Sequence, residues 1–178
     1  MFYKLLSKLL EYPSPELTAA LPQLHGVLRQ GFEATEWVVL ERFMRRLADQ
    51  DLTESQAAYV QTFDLTPEHA LHLTHHLFGD DKNRGPALID LTEYYKQYGL
   101  EIAANDGSPH ELPDHLPLLL EFAAQLEAEE ARMFLSQWSK VLNQLAANLE
   151  KAESPYAPLV RLVEQRSQLA QPVAEAAA

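Results

Sequence analysis

The stretch ELPDHLPLLLEF, Glu111 to Phe122, places two prolines four residues apart, just before a run of leucines. If Pro113 opened the helix, Pro117 would lie at the fifth helical position, where it removes a backbone hydrogen bond and clashes with the preceding turn. With Asp114 as the N-cap, Pro117 falls at the third helical position, whose N–H has no partner inside a helix. The spacing therefore predicts a helix that begins after Asp114, is capped by its carboxylate and continues to about Glu127.

Helical spacing also dominates outside this stretch. Leu5, Leu6, Leu9 and Leu10 recur at helical intervals, which indicates a buried face on a first helix that ends before Tyr12–Pro13. Further helices are predicted over residues 15–30, on the stripe Trp37, Leu40, Phe43 and Leu47, from Thr53 past Phe63, over 67–78 and 86–98, from about Glu130 to Lys151, and after Pro155. No stretch alternates as a strand would, and no segment repeats.

Capping residues define several ends of these helices. Thr53 and Gln56 form the pattern of a capping box, in which each side chain bonds the other's backbone amide. Thr66 followed by Pro67 predicts another helix start, and Gly79 and Gly99 predict helix ends.

These elements predict an all-α fold. We expect a single-domain bundle of about eight or nine helices over residues 1–171, followed by a disordered tail at 172–178. The polar loop at 103–110 is the only candidate hinge.

Composition limits the possible functions. The 178 residues are 47% apolar, contain no cysteine and carry a net charge of −12. Thiol catalysis and thiolate metal sites are excluded, and nucleic acid is disfavoured as a partner because phosphates bind clustered Lys and Arg. The N-terminus lacks the cleavage site of a signal peptide, and no run is apolar enough to span a bilayer. The charge suits a basic peptide or a basic protein surface, although solubility alone also explains it.

Four histidines fall between residues 69 and 76. In a continuous helix His69, His72 and His76 would share a face, and a His pair at i, i+4 can hold zinc. A small metal-dependent helical enzyme is therefore one hypothesis. The same histidines also suit the polar face of an amphipathic helix whose apolar face is Ala70, Leu73 and Leu77, and no HExxH pattern supports the metal.

Two other features resemble catalytic motifs only weakly. The segment 79–88 has the glycines and acids of a phosphate or calcium loop without the spacing of either, so a tight interhelical turn is favoured. In such a turn Arg84 would either ion-pair with an acid or hydrogen-bond helix-end carbonyls. Adjacent residues on a helix point about 100° apart, so Asp114 and His115 do not form a catalytic dyad. We therefore predict that the chain is not an enzyme.

A set of strings, in this order and spacing, is similar to the NarJ-type nitrate reductase assembly chaperones, also called the nitrate reductase delta subunit, within the TorD-like family of redox-enzyme maturation proteins. The strings are LLEYP at 9–13, YVQTFD at 59–64, LTHHLFGD at 73–80 with Arg84–Gly85, ELPDHLP at 111–117 and LEF at 120–122. The resemblance extends over residues 5–165, and ELPDHLP is its most specific part.

The resemblance implies a TorD-like, cytoplasmic, non-catalytic chaperone involved in nitrate assimilation. Its partner would be the N-terminal, leader-like segment of the apo catalytic subunit of nitrate reductase. The chaperone would assist insertion of the molybdenum cofactor and membrane assembly. It would act as a monomer or a domain-swapped dimer, with no cofactor, metal or nucleic acid of its own and no direct membrane insertion. A TorD-like chaperone for another molybdoenzyme is the alternative.

The resemblance also implies a client-binding surface, composed of Tyr59, Phe63, His76, Arg84, Glu111, Pro113, Asp114, His115 and Glu121. Local structure accounts for Asp114 as a cap but does not require Glu111, Pro113 or His115. We therefore expect those three residues to make the main contacts with the client peptide.

Overall fold

The computed structural model describes residues 1–27, 32–79, 81–102 and 111–168. These residues form ten α-helices and no strand. The helices are α1 (Phe2–Leu10), α2 (Pro15–Val27), α3 (Ala34–Asp49), α4 (Leu52–Tyr59), α5 (Leu73–Phe78), α6 (Arg84–Gln97), α7 (Leu116–Ala123), α8 (Ala128–Ser136), α9 (Ser139–Lys151) and α10 (Ala157–Ser167). A π-helical turn, Val60–Asp64, continues α4, and a 3₁₀ turn, Pro67–His69, follows it. The predicted all-α fold is confirmed.

One core runs through these helices. The four leucines of α1 are all buried, as their spacing predicts, and α1 packs along α7. At the other side α9 packs along α10, and the α3 stripe from Trp37 to Leu47 also points inward. Burial of these apolar faces supplies most of the folding free energy, because isolated helices of this length are marginal in water.

The predicted helix over 67–78 is wrong, because the chain leaves helical geometry between His69 and Leu73. There the backbone N–H of Leu73 donates to Asp114 O at 3.0 Å, and Leu71 O accepts from the N–H of Leu116 at 2.8 Å. A tertiary partner thus takes the hydrogen bonds that a helix would use.

The break at 70–72 removes the predicted histidine face. His69 is buried, whereas His72 lies in a bridge with His115, and His76 Nε2 donates to Ala70 O at 2.7 Å. Within the described ranges, no group of three or more His, Asp or Glu side chains could hold a metal ion. Leu77, assigned to the apolar face, is exposed.

The predicted helix from Glu130 to Lys151 is two helices, α8 and α9, joined by a tight turn at Gln137–Trp138. The apolar spacing continues through this turn, so periodicity gave no sign of it. This division explains why the described residues form ten helices rather than the predicted eight or nine.

Some of the predicted helix ends are confirmed and others are wrong. Gly79 and Gly99 follow α5 and α6 with φ of 54° and 71°, a conformation that favours glycine. The capping box at Thr53 is wrong, because Asp51 caps α4 by accepting from the N–H groups of Thr53 and Glu54. Helix α7 ends at Ala123, before the predicted Glu127.

Two predictions lie outside the described residues: the candidate hinge at 103–110 and the tail at 172–178. In the part of the chain that the structure describes, no helix is both long and apolar enough to cross a membrane.

Candidate functional site

A groove of about 840 Å³ opens between α1, α7 and the segments that precede α5 and α7. We call it the acidic groove. It is lined by Lys8, Glu11, Tyr12, Tyr59, Asp64, His72, Tyr95, Leu100, Glu101, Ile102, Glu111, His115, Pro117, Leu118, Glu121, Phe122 and Gln125.

The walls of the acidic groove combine apolar surface with negative charge. Aromatic rings and aliphatic side chains, among them Tyr12, Ile102 and Leu118, supply the apolar part. Among the described lining residues, five carboxylates accompany them, those of Glu11, Asp64, Glu101, Glu111 and Glu121, against the single ammonium of Lys8. An apolar surface surrounded by carboxylates is suited to a segment with an apolar face and basic residues at its edges.

A cluster of three side chains forms one wall of the acidic groove. His72 Nε2 lies 3.0 Å from Glu111 Oε1, and His115 Nδ1 lies 3.6 Å from Glu111 Oε2. The two imidazole rings stack with centroids 5.0 Å apart. Burial lowers the pKa of His115 to about 4, more than the nearby Glu111 carboxylate raises it. His115 is therefore neutral at pH 7, and the charge of this wall comes from Glu111.

Asp114 faces away from the acidic groove and is fully buried. Its Oδ2 accepts from the backbone N–H of Thr74 at 3.0 Å and from the Thr74 hydroxyl. Arg84 Nε donates to Thr74 Oγ1 at 3.0 Å, and Arg84 Nη2 lies 3.7 Å from Asp114 Oδ2. We refer to Asp114, Thr74 and Arg84 as the Asp114 cluster.

The Asp114 cluster corrects the predicted capping. Asp114 does not cap its own helix, α7, whose first residue is Leu116 and whose N-cap is His115. It caps α5 instead, because Thr74 is the second residue of that helix. Of the two kinds of partner expected for Arg84, an acid or helix-end carbonyls, the structure shows the acid, Asp114.

Further hydrogen bonds fix the backbone on both sides of Asp114. The Tyr95 hydroxyl donates to Pro113 O at 2.7 Å, and the bridge between residues 71–73 and 114–116 completes the attachment. The position of Glu111 and His115 in the groove wall therefore depends on a buried polar network behind them.

Comparison with known proteins adds a family to this geometry. The family model described as the nitrate reductase delta subunit matches residues 14–161. The chain belongs to this family.

Members of the delta subunit family with curated names align over most of the chain. The nitrate reductase molybdenum cofactor assembly chaperone NarJ of Escherichia coli (strain K12) is 36% identical over 165 residues, 89% of this chain and 66% of that protein. The probable NarJ chaperone of Bacillus subtilis (strain 168) is 32% identical over 161 residues, 90% of this chain and 85% of that protein. The chain thus spans about two thirds of the length of the E. coli relative. These names describe assembly chaperones rather than enzymes, which agrees with the non-catalytic prediction.

The nine residues assigned to the client surface fall into three groups. Tyr59, Glu111, His115 and Glu121 line the acidic groove. Arg84, Pro113 and Asp114 support the groove wall from behind, and Pro113 and Asp114 are buried. Phe63 and His76 lie elsewhere: the Phe63 ring packs 4.8 Å from those of Tyr59 and Tyr156, and the His76 side chain bonds Ala70 O.

Other groove residues were missed. Glu11, Tyr12 and Asp64 stand in the strings that carry the family resemblance, so membership in those strings was a usable signal. Lys8 and His72 lie outside those strings. No local sequence pattern shows that α1 and the bridge at residue 72 meet at the acidic groove.

Proposed function

We propose that this chain is a chaperone for respiratory nitrate reductase that binds the N-terminal segment of the apo catalytic subunit in the acidic groove. While bound, it holds that subunit ready for insertion of the molybdenum cofactor and for attachment to the membrane. It works in the cytoplasm, before the enzyme is complete, and is not itself a catalyst. The observation that carries this proposal is the acidic groove, an apolar cleft with five carboxylates, in a chain of this family.

The shape and charge of the acidic groove favour a basic amphipathic helix as the client segment. Tyr12, Ile102 and Leu118, which are exposed or half-buried, offer apolar surface on which such a helix would bury its apolar face. The carboxylates would pair with basic residues at the edges of that face. Because exposed ion pairs contribute little free energy, charge would mainly speed encounter and set register, while apolar burial would supply most of the affinity.

Glu111 is the carboxylate most directly available to the client within the 111–117 stretch. Its side chain is 48% exposed, and its two oxygens face His72 and His115 rather than a cation. Since His115 is neutral at pH 7, Glu111 keeps a net charge that an incoming Lys or Arg can pair with.

Support for the proposal also comes from the names of the relatives. The E. coli and B. subtilis proteins are named as molybdenum cofactor assembly chaperones. The chain would therefore recognise the catalytic subunit of the nitrate reductase made in the same cell, as a monomer or as a domain-swapped dimer. Residues 1–171 would form the working domain, with residues 172–178 as a tail.

Calorimetric titration with a peptide copying about the first 15–30 residues of that catalytic subunit tests the proposal, a length that forms several helical turns. We expect binding at low salt that weakens as salt is added, because exposed charges are screened. A scrambled peptide of equal composition is the control. Absence of binding at every salt concentration, with the chain folded, would rule out the peptide-binding role.

A pull-down from cells grown anaerobically on nitrate tests the identity of the client. We expect the nitrate reductase catalytic subunit in its cofactor-free form. Recovery of a different molybdoenzyme would redirect the proposal to that enzyme.

A further inference from the structure

Lys8 is the one cation among the described side chains that line the acidic groove. It lies in the last turn of α1, and its ammonium is 2.7 Å from Glu11 Oε1. Burial opposes its charge, yet the hydrogen bond to Glu11 and the charges of Glu11 and Glu121 raise its pKa. The ammonium therefore occupies a place near two carboxylates of the groove where a basic residue of a client would otherwise be attracted.

The ion pair of Lys8 and Glu11 is a weak explanation for the presence of Lys8. Both side chains are partly exposed, at 43% and 38%, and the residues are three apart in sequence. Exposed pairs at this spacing contribute little to stability. The lysine therefore contributes little to the stability of α1, and its main effect is on the charge of the acidic groove.

The other carboxylates of the acidic groove are not neutralised in this way. In the described ranges, the carboxylates of Asp64, Glu101 and Glu121 take part in no hydrogen bond or ion pair within 4.0 Å. Glu111 contacts His72 and His115 and accepts from the backbone N–H of Leu112 at 3.0 Å, and none of these partners is a lysine or an arginine. Negative charge is thus uneven among the described groove residues: Lys8 reduces it beside Glu11 and Glu121, the charge of Lys96 acts on Glu101, and no lysine or arginine offsets it at Asp64 or Glu111.

We infer that Lys8 is a specificity-determining residue of the acidic groove, which repels client basic residues from Glu11 and directs them toward Asp64 and Glu111. This inference rests on the proposed function in one respect: the groove is taken to bind a basic amphipathic segment. Lys8 lowers the affinity for basic segments in general and in return restricts the register in which they bind.

Two variants separate a local effect from a change in net charge. Lys8→Met removes the groove ammonium but keeps an unbranched side chain on α1. Lys4→Met removes an exposed lysine from the same helix, one turn earlier and outside the groove lining, and is the matched control. Lys8→Gln serves as a second variant if Lys8→Met folds poorly, and thermal unfolding of all variants reports on the fold.

The probes are two designed helical peptides rather than the client. One carries lysines along its polar face, and its twin has glutamines in their place. Calorimetry at low salt gives the dissociation constant of each probe for the unaltered chain and for each variant.

We expect Lys8→Met to tighten binding of the lysine probe about three- to tenfold, a size suited to one partly exposed charge. Binding of the glutamine twin should change less than about twofold, and Lys4→Met should change either probe by less than about twofold. The inference is overturned by an equal gain for both probes, by an equal gain in Lys4→Met, by weaker binding in Lys8→Met, or by no binding of the lysine probe to the unaltered chain. If the probes respond as expected but the client peptide does not bind, the proposed function fails and the role of Lys8 stands.

Discussion

Glu111 and Asp114 are two acids three residues apart on one short stretch, and the structure uses them in opposite ways. Asp114 is fully buried and bonded to Thr74, with Arg84 nearby. Glu111 is 48% exposed at the acidic groove, beside two histidines. A buried carboxylate is held by partners that must be present for the fold, whereas an exposed carboxylate can exchange its partners for those of a ligand. The stretch therefore combines a structural face with a face open to the acidic groove, where we propose that the client binds.

The largest expected effect comes from removing the buried acid. Asp114→Ala should lower the free energy of unfolding by about 3–5 kcal/mol, because it leaves the N–H and hydroxyl of Thr74 and the charge of Arg84 without their acceptor. Urea denaturation followed by circular dichroism measures this loss. Asp114→Asn should lose less, since an amide oxygen can still accept from Thr74. Full stability in Asp114→Ala would mean that the buried network does not support the groove wall.

A smaller effect concerns the pH dependence of stability at His115. Its pKa is about 4 in the folded chain and about 6.5 unfolded, so the unfolded state takes up a proton first as the pH falls. Stability is thereby lost between about pH 6.5 and pH 4, by up to about 3 kcal/mol from this residue. The charges of Glu111, His72 and Asp114 act on the ring, so the change is measured against a variant.

His115→Gln is that variant. The decline of unfolding free energy from pH 7 to pH 4.5 should be shallower in His115→Gln than in the unaltered chain. Parallel curves would show that the pKa of His115 is the same in the folded and the unfolded chain. His115 would then belong with the exposed Glu111 rather than with the buried Asp114.

Asp51 provides an exposed counterpart of Asp114. Both carboxylates accept from backbone amides at a helix start, but the bonds of Asp51 at α4 are exposed. Asp51→Ala should therefore cost only about 1 kcal/mol. Thr53→Ala, at the position that the sequence pattern favoured as the cap, should stay within about 0.5 kcal/mol. Equal losses in Asp51→Ala and Asp114→Ala would remove the distinction between buried and exposed caps.

The smallest effect on stability is expected at Glu111. Glu111→Gln should change the unfolding free energy by less than about 0.5 kcal/mol, because its contacts are largely exposed. The same change should weaken binding of a basic client peptide about three- to tenfold at low salt, and less at high salt. Glu93→Gln, at an exposed acid outside the acidic groove, is the control for net charge. Unchanged peptide binding in Glu111→Gln would remove this acid from the binding face.

Much of the fold follows from local patterns. The leucines of α1, the stripe of α3 and the glycine ends of α5 and α6 were all predicted, since each reflects interactions within a few residues along the chain. The errors occurred where distant partners compete with local ones. Residues 71–73 leave helical geometry because residues 114–116 provide their backbone partners, and no local pattern records this competition.

The lining of the acidic groove was predicted to a similar degree, and its role as the client surface stays a prediction. The resemblance directed attention to ELPDHLP, and Glu111 and His115 do line the acidic groove. Pro113 does not, because its ring is buried and its carbonyl accepts from Tyr95. Lys8 and Glu11 belong to the same groove but lie a hundred residues earlier in the chain, where only packing of α1 against α7 brings them to it.

The sequence by itself determined an all-helical, acidic chain without cysteine, because helical spacing, charge and residue type need no knowledge of distant contacts. Only the tertiary structure decided which acid of ELPDHLP is structural. Asp114 and Glu111 are equally capable of capping or of binding a cation, and neither residue type nor spacing distinguishes them. The distinction is made by Thr74, 40 residues from Asp114, which meets that carboxylate only when the bundle has folded around it.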